Sequence, residues 1–110
     1  IRKTGQAARR TENRMLKHDQ AQSDMLYEAV LTLKDVDECK AFFQDLCTVG
    51  ELRAMEQRLE VALLLDEGMI YNDILERTGA SSATISRVNR ALQYGADGYK
   101  AVLPRIKKNG

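Results

Sequence analysis

The chain of 110 residues has no tryptophan, one proline, one histidine and two cysteines. Each scarcity removes a class of protein. A single Pro leaves few obligatory backbone breaks, so helices can be long. Cys39 and Cys47 stand eight residues apart in what reads as one helix. That is about 12 Å along the axis, beyond the separation of about 7 Å between Cα atoms that a disulfide tolerates, so both are expected to be buried free thiols packing as small hydrophobes. His18 is the only histidine and there is no CxxC pair, so no metal site is expected. The longest apolar run, Val61 to Leu65, falls far short of the roughly 18 residues of a membrane span. No apolar stretch follows the N-terminal charge, so no signal peptide is read and the expected location is cytoplasmic. GxGxxG and P-loop patterns are missing, as is an acid–base pair in a plausible pocket, so no catalysis is expected.

What is present is charge, unevenly placed. Residues 1–20 hold six Lys/Arg against Glu12 and Asp19, and residues 21–67 hold four against eleven Asp/Glu. Residues 68–98 balance at three each, and the last twelve carry four Lys/Arg and no acid. Basic ends around an acidic middle suit a protein whose centre assembles and whose ends meet an anionic partner; solvated tails are the plainer alternative.

Apolar spacing divides the chain into helices. Met25, Leu26, Ala29, Val30 and Leu33 give Asp19–Leu33 one apolar face. Asp35 followed by Glu38 has the form of a capping signal, and Phe42, Phe43, Leu46 and Cys47 supply the face of the helix after it. Thr48 with Glu51 repeats the signal and opens a third helix to about Glu67, closed by Gly68. Within it "LEVALLL", Leu59 to Leu65, is apolar nearly all round. Water on one side is incompatible with such a segment. Burial between two chains in a homodimer is the economical reading; the centre of a monomeric bundle is the other. A short helix from Ile70 to Arg77, the turn Thr78-Gly79-Ala80 and a helix capped by Ser81 follow, ending at "YGADGY". Residues 99–110 read as a brief helix before Pro104, or as frayed chain.

The stretch "TGASSATISRVNRAL" carries the functional signal. Two short helices joined by a tight glycine turn make a helix-turn-helix, which lays its second helix in the major groove of DNA. Ile74 and Leu75 before Gly79, with Ile85 and Val88 after it, are spaced to pack the two helices together. Leu75 stands where many such motifs have Ala or Gly, which calls for local repacking. Ser82, Ala83, Thr84 and Ser86 then form a slim leading end. Small hydroxyls permit close approach to base edges, whereas large side chains would hold the helix away. Arg87 and Arg90 can reach phosphates or a guanine edge, and Asn72, early in the first short helix, completes the candidate DNA-binding set. The plainer reading is a helical hairpin with a polar outer face.

With those residues in view, "LCTVGELRAMEQRLEVALLL" and "TGASSATISRVNRALQYGADGY" resemble the Trp repressor family, most closely its TrpR-related YerC/YecD branch, over about residues 20–99. The resemblance implies an all-α fold: an intertwined helical homodimer with paired helix-turn-helix units on operator DNA. It also implies an effector pocket for L-tryptophan, which in the family is held by a threonine and two arginines that match Thr48, Arg58 and Arg87. Val88 stands where the family has a glycine beside the indole, and Ala91 where it has a serine. Overfilling a tight pocket costs about 1–3 kcal/mol, or one to two powers of ten in affinity, so no tryptophan response and no other cofactor are expected. Taken singly, Thr48 is also a helix cap, Arg58 a partner for Glu51, and Arg87 a phosphate contact.

The expected organisation is 1–18, a basic extension that is disordered or foreign to the domain; 19–99, the helical domain with its helix-turn-helix at 70–94; and 100–110, a basic C-terminal segment. The expected function is that of a sequence-specific transcriptional regulator, a repressor, acting as a homodimer on double-stranded DNA, with residues 81–94 as the recognition helix and no membrane partner. The alternative is a non-enzymatic assembly module that uses the helical dimer and its acidic middle to bind protein.

Overall fold

Asp35 to Glu38 and Thr48 to Glu51 each start a helix in the computed structural model, which describes residues 21–109. Every regular element among these residues is a helix. The chain divides into two compact units, Ile1–Leu46 and Cys47–Gly110. The expected extension at 1–18, with His18, and the expected helix start at Asp19 lie outside the described residues.

The first unit contains α1, described over 21–31, and α2, Val36–Leu46. The apolar spacing extends α1 to Leu33, but the helix stops earlier. The Thr32 hydroxyl donates to the Ala29 carbonyl at 2.7 Å and its amide bonds the same oxygen, which tightens the last turn and ends it. At the start of α2 the Asp35 carboxylate accepts from the Glu38 amide at 2.8 Å, and Glu38 reaches back to the Lys34 amide at 2.9 Å. The two exchanges satisfy free donors at the helix start, although the return bond falls one residue earlier than in a standard capping box. Phe42 and Phe43 meet edge to face, with centroids 5.4 Å apart. No residue of α2 is buried. Leu31 and Val36 stand largely exposed.

In the second unit α3 (Val49–Asp66) opens on a complete capping box. Thr48 Oγ1 accepts from the Glu51 amide at 3.0 Å and Glu51 Oε1 from the Thr48 amide at 2.9 Å. It closes on a Schellman pair, with the Met69 amide bonded to the Leu64 carbonyl and the Gly68 amide to that of Leu65. Gly68 takes φ 92°, as that closure requires. Then come α4 (Tyr71–Thr78), α5 (Ser82–Tyr94) and α6 (Gly98–Asn109). The core draws Val61, Ala62 and Leu64 from α3, Ile74 from α4, Ala80 from the turn, Ile85 and Val88 from α5, and Leu103 from α6.

Two expectations are corrected. Cys47 lies just beyond the end of α2, and both thiols are free but half-exposed rather than buried. The C-terminal helix also runs through Pro104 instead of ending before it. Proline removes one backbone donor and crowds the carbonyl four residues back. Leu103, only 1% exposed, fixes the helix on one side of the Pro, and Lys107 Nζ, 2.6 Å from Asp66 Oδ2, ties it to the end of α3 on the other.

Candidate nucleic-acid interface

The turn between α4 and α5 is held at several points. Gly79 sits in the left-handed region at φ 73°, and its amide bonds the Leu75 carbonyl at 2.9 Å. Thr78 Oγ1 donates to the Ile74 carbonyl at 2.7 Å and accepts from the Ala80 amide at 3.0 Å. From α3, Gln57 Nε2 donates to the Thr78 carbonyl at 3.3 Å. Ala80 is then buried beneath the turn, and Ser81 begins the next helix. Its Oγ accepts from the Thr84 amide at 3.1 Å and donates to Thr84 Oγ1 at 3.1 Å.

The period of α5 separates its two faces. Ile85 is fully buried and Val88 nearly so, with half-buried Leu92 continuing the inner side. At 3.6 residues per turn, Ala83, Arg87 and Arg90 fall on the opposite side, with Ser86 at its margin. Ser82, Ala83, Ser86, Arg87 and Arg90 are all exposed, so the forward end of the helix stands clear of neighbouring segments of its own unit. Thr84 is half-buried, its hydroxyl drawn into the cap. Asn72 is exposed in the first turn of α4. Leu75, the departure from the usual small residue, is half-buried and packs against the core. The ion pairs among the described residues are Lys100–Asp97 and Lys107–Asp66, and neither involves Arg87 or Arg90.

The candidate effector residues are less closely grouped. Thr48 caps α3 and Arg58 lies ten residues further along it, about 15 Å of axial rise away. Arg58 is half-buried without an acidic partner among the described residues, and Glu51, its suggested neighbour, is committed to the cap. Arg87 is exposed, whereas Val88 is only 2% exposed and packs inside the core. The sequence reading missed Gln57. An amide among apolar positions of α3 was its only local sign, and its partner lies 21 residues away.

Residues 21–107 match the Trp repressor protein family. The uncharacterized protein YerC of Bacillus subtilis (strain 168) is 53% identical over 85 residues, spanning 77% of this chain and 82% of YerC. The crystal structure of a Staphylococcus aureus protein described as a candidate Trp repressor superposes with a TM-score of 0.76 at 48% identity, covering 79% of this chain and 87% of that one. That of a TrpR-like protein from Eubacterium eligens ATCC 27750 gives 0.73 at 54% identity, covering 76% and 87%. The family match runs from α1 into α6, and the chain belongs to the Trp repressor family.

Proposed function

We propose that this chain is a sequence-specific DNA-binding transcriptional regulator, a cytoplasmic repressor without enzymatic activity, which binds its operator as a homodimer and does not respond to L-tryptophan. The observation that carries the reading is the two-sidedness of α5: one side locked into the core through Ile85 and Val88, the other exposing Ser82, Ala83, Ser86, Arg87 and Arg90.

Each outward residue has a use in a groove. Ser82 and Ala83 are small enough for the helix tip to approach base edges, and the Ser86 hydroxyl can donate or accept there. Arg87 and Arg90 neutralise phosphates or read guanine, and Asn72 meets the backbone from the start of α4. Thr84 contributes chiefly by holding the tip in shape through its bonds with Ser81. Met55 and Leu59 of α3 and Val102 and Ile106 of α6 remain roughly two-fifths exposed, apolar surface that a second copy would cover. Val88 occupies core space where the family has a glycine beside the ligand, which supports a regulator that works without tryptophan.

Selection of duplexes from a random-sequence pool, followed by hydroxyl-radical footprinting, tests the reading. Two protected half-sites about 10 bp apart, related by a dyad, are expected. Added L-tryptophan should leave the affinity unchanged, and a tenfold gain would overturn the ligand-independent part. Failure to enrich any duplex would instead favour a protein-assembly role for the acidic middle.

A further inference from the structure

The outward stripe of α5 does not stop at Arg90. Tyr94, eleven residues after Ala83 and four after Arg90, returns to the same line within about 40° at 3.6 residues per turn. It is 84% exposed, among the most exposed large side chains of the described residues. Aromatic rings usually contribute to a fold by burying 150–250 Å², and this one buries little.

The chain is built to leave it standing. Gly95 follows at φ −86° and ψ −152°, its amide bonded to the Ala91 carbonyl at 2.9 Å. A Cβ at that position would lie 2.4 Å from the same carbonyl oxygen, so a side chain there would push the turn open. The backbone therefore leaves the helix directly behind Tyr94, and the ring ends the stripe.

We propose that Tyr94 contacts the DNA backbone at the far edge of the footprint, its phenolic hydroxyl donating to a phosphate oxygen; this rests on the reading of α5 as the recognition helix. Ala83 and Tyr94 are separated by about 16 Å along the axis, whereas the major groove is about 12 Å wide. A helix with its tip on base edges thus has its far end level with the groove wall, where phosphates lie. A neutral donor suits that place and adds grip without base preference.

The test measures equilibrium binding of the full chain to the tightest duplex selected from a random-sequence pool, over a range of salt. Tyr94→Phe should weaken binding about three- to tenfold, and Tyr94→Ala to a similar extent. The slope of log affinity against log salt should stay at the wild-type value, because the phenol carries no charge to release a counterion. Thermal melting of each variant should match wild type, since the side chain lies outside the core. Wild-type affinity for Tyr94→Phe would overturn the proposal, whether or not Tyr94→Ala is weak, since the hydroxyl would then do nothing. A changed salt slope would also overturn it, by showing that the substitution disturbs the arginines. If the wild-type chain selects no duplex, the recognition-helix reading fails and takes this proposal with it; binding by wild type with Tyr94→Phe unaffected sinks this proposal alone.

Discussion

At Gly79 the backbone takes φ 73°, a conformation that costs a residue with a Cβ about 1–2 kcal/mol. Nothing lies within 4 Å of where that Cβ would be, so Gly79→Ala should lose that amount from backbone strain alone, measured by urea unfolding. A loss well beyond it would mean that the turn rearranges. Ser81, two residues on, supplies the acceptor for the Thr84 amide. Ser81→Ala should destabilise by about 0.5–2 kcal/mol, and Ser81→Gly by only a few tenths. Both residues were readable in the sequence because a positive φ and an N-cap are local demands, met by a few residue types. The capping box at Thr48 and the closure at Gly68 were legible for the same reason. Gln57 was not: its bond to the Thr78 carbonyl exists only because α3 docks against α4, and no local spacing records that.

The helices themselves follow from the 3.6-residue period, and α5 most plainly. Ile85 and Val88 had to face inward, which leaves the small residues and arginines outside. Removing the anchor should therefore be costly: Ile85→Ala is expected to destabilise by about 2–5 kcal/mol, seen in the denaturant midpoint. A much smaller change would mean that the core around α5 closes over the gap. At α6 the period was correctly read but its end was not. Pro104 argued for a stop, and the contacts that carry the helix past it, Leu103 in the core and Lys107 on Asp66, come from residues far away in sequence. Pro104→Ala restores the missing donor and should stabilise the chain by up to about 3 kcal/mol. Destabilisation instead would show that the backbone Pro104 imposes is needed to seat Leu103.

For the whole molecule, burial is the governing quantity. Eight apolar residues form the buried core of the described chain, while Met25, Tyr27, Leu31 and Leu46 of the first unit and Met55, Leu59, Val102 and Ile106 of the second keep a third or more of their surface. The all-round apolar character of α3 foreshadowed this: its buried side is Val61, Ala62 and Leu64, and Leu59 is left outside. A second chain is the proposed cover, and it would present two copies of α5 to one DNA face. The candidate site was legible to the extent that α5 stands on periodicity and caps. The effector residues carry no such local pattern: Thr48 reads equally as the cap of α3, and Arg58 stands ten residues beyond it.

The most direct measurement is the salt dependence of duplex binding for wild type and for the Arg87→Ala, Arg90→Ala double variant. If the outward face of α5 grips DNA, wild type binds with a steep negative slope of log affinity against log salt, and the variant binds more weakly with a slope shallower by about two to four. Equal affinities and parallel slopes would contradict the account, because the two arginines would then lie outside the contact.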